Sequence, residues 1–272
     1  MSGCGRKMCD QIRPPGASLQ STNHSRVTPL LSIVTVSLNA ADTIVDTLAS
    51  VAGQRGGVEL EHVCVDGGSR DDTRALIDAM AARHAHLRRV FEPDHGIYDA
   101  MNKGFAACRG EYVLYLNADD FLFAPDTLSQ ELAGLTRGAP DNPDLIVGDV
   151  VMGEPGRCGW WRDRRVPRLL ARWPGCGLFP IHQGRIVRRA LIECVGGFDA
   201  RSRLAADVIQ FYDMERARPL SIRVIASPIA FMRGGGAANG SPGAMWLGTR
   251  EIFAHLGRTH GAARAGAMTM VK

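Results

Sequence analysis

The sequence predicts an α/β fold: a doubly wound, mixed sheet whose first half carries polar groups along its strand ends. Three observations predict it. From residue 30 onward, apolar runs rich in branched residues alternate with helical patterns, strand then helix then strand then helix. Several of those runs end in polar or acidic residues, where open α/β sheets bind ligands. The chain has 272 residues, 45% of them hydrophobic, enough for one large domain or two closely joined halves with a sizeable core.

The elements follow in order. Residues 1–28 mix Ser, Pro, Gly, Gln and Asn without periodicity and read as a disordered extension. Leu30 to Ser37 is a nearly continuous apolar run, a buried strand of the parallel kind. After Asn39, a helix runs from about Ala41 to Gln54 with Ile44, Leu48 and Val51 on one face. Glu59 to Val65 is the next strand and ends at Asp66-Gly67-Gly68-Ser69, before a helix over about Asp71 to His84. Glu92 to Gly96 is a polar loop with Pro93 and Gly96 as breakers. It enters a helix whose Ala100, Met101, Phe105 and Cys108 make one apolar stripe, closed by Gly110. Glu111 to Leu116 is a strand followed at once by Asn117-Ala118-Asp119-Asp120.

Beyond that point the pattern is coarser. Residues 124–140 read as a surface helix, and Asp144 to Met152 as a strand pair broken at Gly148-Asp149. The stretch from Gly156 to Pro174 is dense in Trp and Arg, Trp160 and Trp161 among them. It is a sugar-stacking or phosphate-reading wall, an amphipathic strip for a membrane surface, or an irregular packed loop. His182-Gln183 opens a strand-like run to Arg189, and Val195-Gly196-Gly197-Phe198-Asp199 leads to a helix from Asp207 to about Arg216. Leu220 to Phe231 reads as a last strand pair, Gly234 to Gly243 as a glycine-rich lid, and Met245 to Leu256 as a final helix. Residues 261–272 form a frayed tail.

Composition excludes several classes. The formal charge is only +4, and no lysine-rich run or RNA-reading aromatic motif occurs, which argues against nucleic acid. Neither G-x-G-x-x-G after the first strand nor G-K-[ST] is present, which argues against dinucleotides and NTP hydrolysis. No apolar run approaches a membrane-spanning length and no secretory signal opens the chain. The seven cysteines match no zinc spacing, and a reducing cytosol fits them best.

Two adjacent carboxylates after a strand, with oxygen ligands only, suit Mg²⁺ or Mn²⁺. Here the motifs carry a resemblance. Asp94-His95-Gly96-Ile97-Tyr98-Asp99-Ala100-Met101-Asn102-Lys103-Gly104, then Asn117-Ala118-Asp119-Asp120, then His182-Gln183 ahead of Gly196-Gly197-Phe198-Asp199, then Asp207, occur in that order. This resembles the GT-A fold glycosyltransferases of family 2, over roughly residues 30–235.

The resemblance implies a Rossmann-like nucleotide-sugar half over residues 29–122, fused to an acceptor half over 123–260. Ser37 and Asn39 match the first nucleotide-contacting turn, with Leu38 in place of a stacking aromatic. Asp66 matches a carboxylate that reads the base, or else it caps the following helix. Asp94, Asn102, Lys103 and Asn117 are candidates for donor contacts, Lys103 as a point charge for phosphate or as part of a solvated helix face. Asp119 would hold the metal (Mn²⁺ or Mg²⁺), with Asp120 behind it or bridged by water. Asp149, His182, Trp160 and Trp161 fall on the acceptor side. Asp207 matches the catalytic base, and a plain helix cap fits the same position.

The expected reaction is inverting transfer from a nucleoside diphosphate-sugar to a saccharide, lipid-linked or small-molecule acceptor. The expected setting is the cytoplasm, peripheral to the inner face of a membrane. A catalytically silent binding module and a sugar nucleotidyltransferase are the rivals.

Overall fold

The computed structural model describes residues 28–154, 161–162, 180–234 and 241–260. The centre of the first half is β1 (Leu31–Ser37), whose residues are all buried. It pairs in parallel with β2 (Leu60–Asp66) on one side and β4 (Tyr112–Tyr115) on the other, and β2 pairs with β3 (Leu87–Phe91). Crossover helices cover both faces. Ile44, Leu48 and Val51 of α1 (Ile44–Ala52) and Ile77 of α2 (Thr73–Ala81) pack on one face, beneath Leu31, Ile33 and Cys64. Tyr98, Ala100 and Met101 of α3 (Ile97–Ala107) pack on the other, against Val34, Val36, Val63 and Val65. This alternation of inward faces is why the strands read as unbroken apolar runs. Gly104 lets α3 settle this closely, since a Cβ there would stand 2.4 Å from Val34 Cγ1.

The second half extends the same sheet with mixed polarity. β4 pairs antiparallel with β8 (Arg185–Arg188), β8 antiparallel with β6 (Leu145–Gly153), and β6 in parallel with β9 (Ile222–Arg233). The short β5 (Phe121–Leu122) closes the far edge on β9, and β7 (Trp161–Arg162) pairs with β6. Among the described residues the order is β3-β2-β1-β4-β8-β6-β9-β5, with β7 beside β6. Helices α4 (Thr127–Glu131), α5 (Arg189–Val195), α6 (Ala206–Ala217) and α7 (Pro242–His260) are the other α-helices among the described residues.

Several expectations change here. The strand pair expected over 144–152 is one strand, and so is the pair expected over 220–231. Gly148 bends the strand without ending it: the β6–β9 register shifts around Asp149, and Ile225 and Ile229 fill the space where a Cβ would lie, 2.9 and 2.7 Å away. The long surface helix contracts to Thr127–Glu131. β3, β5 and α5 were not anticipated; β3 is an edge strand whose Arg88 and Arg89 disguise it.

Cys64 and Cys108 are buried free thiols, in keeping with the reducing setting expected from the cysteines, whereas Cys194 is disulfide-bonded. Among the described residues no helix is long and apolar enough to cross a membrane. The extension, most of the Trp/Arg stretch with Trp160, most of the glycine-rich segment and the tail lie outside the described residues.

Candidate active site

The C-terminal ends of β1 and β2 are laced together. Asn39 takes φ 50°, a left-handed conformation that Asn tolerates better than most residues. From there its backbone N–H donates to Ser69 Oγ at 2.7 Å and its Oδ1 accepts from Arg70 N at 2.9 Å. Ala40 N donates to Thr73 Oγ1 (2.8 Å) and Ala41 N to Asp71 Oδ2 (3.0 Å).

Asp66 is the hub of this turn. Its carboxylate is buried and accepts from Gly68 N (3.1 Å), Ser69 N (3.0 Å), Ser69 Oγ and Arg74 Nε (2.6 Å), with Ser37 Oγ 3.3 Å away. Burial alone would raise its pKa; the Arg74 and Ser69 bonds outweigh burial and hold it below the usual range. As folded, Asp66 therefore faces inward and organises the turn. Leu38 beside it is 58% exposed, and Arg74 lies over the Phe91 ring, 5.2 Å from its centroid.

The loop from Glu92 to Gly96 is knotted in the same way. Asp94 Oδ1 accepts from Gly96 N (2.9 Å), and its Oδ2 presses so closely on Gly67 that a Cβ there would lie 1.7 Å away. Asp99 Oδ2 accepts from His95 N at 3.0 Å. Lys103 spends its ammonium on Glu92 Oε1 (3.1 Å), Asp99 Oδ2 (3.2 Å) and Pro93 O (2.5 Å). An ammonium has three donors, so none is left for a phosphate, and Lys103 here braces the loop. Asn102 also differs from expectation. Its Nδ2 donates to Phe198 O (2.8 Å) and its Oδ1 accepts from Phe198 N (2.9 Å), which clamps the Gly-Gly-Phe-Asp turn onto α3.

The acidic turn after β4 rests on Thr47, whose buried hydroxyl lies 2.6 Å from Asp120 O and 2.9 Å from Ala118 O. Asp120 is buried: Oδ2 accepts from Gln183 Nε2 (2.7 Å) and Oδ1 from Arg233 N (3.2 Å). Burial, with the neighbouring charge of Asp119, pushes its pKa up to about 7 despite those donors. Arg233 Nε also donates to Asp119 O at 2.9 Å, and its guanidinium pairs with Asp46. The carboxylate of half-buried Asp119 has no hydrogen-bond or ion-pair partner among the described residues. No group of three His, Cys, Asp or Glu side chains able to hold a metal occurs among them either. One open carboxylate fits a hard cation that takes its other ligands from diphosphate oxygens and water, and does not fit a dedicated protein cage.

The second group of polar residues, on α3, β8 and α6, is tied to this turn through adjacent residues: Gln183 bonds Asp120 and His182 meets Asp207. Asp207 sits in the first turn of α6, 20% exposed. Tyr98 OH donates to its Oδ1 (3.2 Å), and His182 Nδ1 lies 3.3 Å from its Oδ2. Buried Arg185 donates to the Asp207 carbonyl through both terminal nitrogens at 3.3 Å. Burial would raise the Asp207 pKa; the His182 hydrogen bond and charge, the field of Arg185 and the N–H of Val208 bring it down to about 2. The Phe198 ring packs on Tyr98 and Tyr115, with centroids 5.4 and 4.9 Å apart, so the Asn102 clamp also supports this wall.

Five buried polar atoms here have no partner: Asn117 Oδ1, Tyr115 OH, His182 Nε2, Gln183 Oε1 and Arg185 Nε. Buried polar groups are normally paired, so this concentration marks where a ligand or ordered water belongs. Asp149 lies elsewhere in the second half, buried at the β6 bulge. Trp161 is placed only by its backbone, which pairs with Met152. Sequence reading missed Tyr98, Gln183, Arg185 and Arg233 as site residues. The signals were present: Gln183 and Arg185 flank Gly184 directly after His182, and Arg233 directly precedes the glycine run.

Comparison with known proteins gives the family and the fold. The glycosyl transferase family 2 profile matches residues 32–196. A PGL/p-HBAD biosynthesis glycosyltransferase of Mycobacterium bovis is 34% identical over 180 residues, spanning 66% of this chain and 67% of that one. Among solved structures, TarS of S. aureus in complex with UDP-GlcNAc aligns at TM-score 0.66, with 19% identity over 88% of this chain and 70% of that chain. The mannosyltransferase PcManGT of Pyrobaculum calidifontis, in complex with GDP-Man and Mn²⁺, aligns at 0.59, with 20% identity over 90% and 70%. With its sheet order, its acidic strand end and a family match over more than half its length, this chain belongs to glycosyl transferase family 2 and is a glycosyltransferase of GT-A fold.

Proposed function

We propose that the chain transfers a sugar from a nucleoside diphosphate donor to an acceptor hydroxyl by one inverting displacement. The observation that carries this reading is Asp207: an ionised carboxylate fixed by Tyr98 and by His182, whose neighbour Gln183 bonds Asp120 of the acidic turn. With a pKa of about 2 it is unprotonated at neutral pH. Each of its oxygens keeps a lone pair beyond the bond it already accepts. Asp207 takes the acceptor proton as the acceptor oxygen bonds to the anomeric carbon, and the bond from that carbon to the diphosphate breaks.

A divalent cation held at Asp119, Mn²⁺ or Mg²⁺, would supply charge stabilisation for the departing diphosphate. Asp120, Gln183 and Arg233 keep Asp119 in place. Ser37, Asn39, Asp94 and Asn117 line the donor side, with Asp66, Asn102 and Lys103 as the frame that shapes it. His182 orients Asp207, and Asp149, Trp160 and Trp161 are acceptor-side candidates on the motif resemblance alone. The acceptor class we propose is a saccharide, lipid-linked or small-molecule hydroxyl, met on the cytoplasmic side of a membrane. Solved relatives in complex with UDP-GlcNAc and with GDP-Man and Mn²⁺ support the donor class and the cation.

A thermal-shift panel of nucleoside diphosphates, with and without Mn²⁺, tests the donor half. A ligand that binds only the folded state raises Tm by mass action. One diphosphate is expected to raise Tm with Mn²⁺ and not without it, and Asp119→Ala to abolish the rise. No shift under either condition would remove the transferase reading.

A further inference from the structure

The last helix has two faces with opposite destinies. On the inner face of α7, Ile252 and Leu256 pack with Ala205, Ile209 and Tyr212 of the α6 region. Polar contacts reinforce that docking. Glu251 Oε2 accepts from Ser202 Oγ at 2.6 Å and from Leu204 N at 3.0 Å, while its Oε1 accepts from Arg203 N at 2.8 Å. His255 Nε2 lies 2.8 Å from Asp213 Oδ1. The helix is thus fixed in rotation.

The opposite face is apolar and cationic. Trp246 is 63% exposed and Phe253 39% exposed, more than most large apolar side chains of this protein. They stand seven residues apart, two turns on one helix face, about 10 Å along the axis. Arg250 lies between them, with its guanidinium 5.0 Å from the Trp246 ring centroid. The next exposed position on this face is Ala254, and exposed Arg203 lies beside the helix on the loop that Glu251 holds; Arg258 instead turns toward Asp199, whose carboxylate its charge reaches. Glu251 is the only acidic residue of α7, and it is turned inward. The outer face therefore carries aromatic rings and positive charge, with no carboxylate of its own helix to offset them.

We infer that this face of α7 docks on an anionic lipid surface, with Trp246 and Phe253 entering the headgroup boundary and Arg250 and Arg203 meeting lipid phosphates. The charge pattern favours lipid over a second copy of the chain. Two copies apposed on this face would bring arginine against arginine, whereas an anionic bilayer complements every charge on it. The side-chain types fit as well: amphipathic aromatics settle at the membrane–water boundary, and arginine keeps its head in the polar layer while its stem lies along apolar surface. This inference stands independently of the donor and of the chemistry.

Vesicle co-sedimentation of the full chain tests it, with phosphatidylcholine vesicles and with vesicles containing phosphatidylglycerol at matched salt. Binding is expected to the anionic vesicles only and to weaken as salt rises. Trp246→Ser with Phe253→Ser should lower the partition coefficient on the order of tenfold or more. Arg250→Ala alone should lower it about fivefold. Circular dichroism and Tm of each variant confirm that the fold is kept, which the exposure of these side chains leads one to expect. Equal binding to neutral vesicles, unchanged binding of the double variant, or no binding at all overturns the inference. So does a dimer in analytical ultracentrifugation that the double variant abolishes, because the face would then belong to a second copy.

Discussion

The donor-side strand ends and the chamber between β4, β8 and α6 use polar residues in opposite ways. At the ends of β1 and β2, and in the loop before α3, nearly every polar side chain is spent on its own backbone or on a neighbouring loop. Asp66, Asp99 and Lys103 brace; they do not reach. In the chamber, five buried polar atoms stand unpartnered and two carboxylates are held ready, Asp119 open and Asp207 oriented. Rigidity on one side and unmet hydrogen-bonding capacity on the other is the arrangement expected of a site that shapes first and reacts second. It also means that a conspicuous polar residue in a motif need not touch the ligand: Asn102 and Lys103 are framing members.

Substitutions can break that contrast. The largest effect on stability belongs to Asn102→Leu. It removes both bonds to Phe198 and strands a buried N–H and C=O, so denaturant titration should show a loss of about 3 kcal/mol. A loss under 1 kcal/mol would mean that the clamp is not part of the frame.

His62 gives a smaller, pH-dependent effect. It is buried on β2, with Nε2 2.9 Å from Thr35 Oγ1, and burial, aided by the charge of His86, takes its pKa from 6.5 to about 3. Below pH 6.5 the unfolded chain therefore binds a proton that the folded chain refuses until about pH 3, and stability falls as pH falls through that window. His62→Gln keeps a partner for Thr35 and removes the titration, so at pH 5 it should spare about 2 kcal/mol of the acid loss. Parallel Tm–pH curves for the two proteins would contradict this.

Tyr115→Phe, in the chamber, should go the other way. Its buried hydroxyl has no partner, so removing it should leave stability unchanged or raise it by up to about 1 kcal/mol. A clear loss of stability would show that the hydroxyl is satisfied after all.

The same contrast explains what could be read in advance. The first half was legible because parallel strands covered on both faces give unbroken apolar runs, and their helices begin after evident turns. In the second half Gly148 looked like a break because its close approach to Ile225 and Ile229 depends on a strand more than seventy residues later. β3 was hidden because an edge strand tolerates charge, here the consecutive Arg88 and Arg89. At the site, Asp119 and Asp207 could be named from residue type and motif. Tyr98 is buried with the core, but its hydroxyl meets Asp207 across 109 residues of sequence, a partnership no local pattern carries. Arg185 falls inside the strand-like run after His182, and only the packing shows it buried beneath Asp207. The open or closed state of a polar atom is a property of its neighbours in space.

The central claim is that Asp207 takes the acceptor proton in sugar transfer from a nucleoside diphosphate donor. The most direct measurement is diphosphate release from a panel of nucleoside diphosphate-sugars with Mn²⁺ and candidate acceptors, for the native chain and for Asp207→Asn side by side, with donor affinity measured by calorimetry on both. The account predicts release by the native chain, unchanged donor affinity in the variant, and a rate lower by about 10²- to 10⁴-fold. Equal rates in the two proteins would contradict the assignment of the base, and binding without turnover in the native chain would leave a silent module in place of an enzyme.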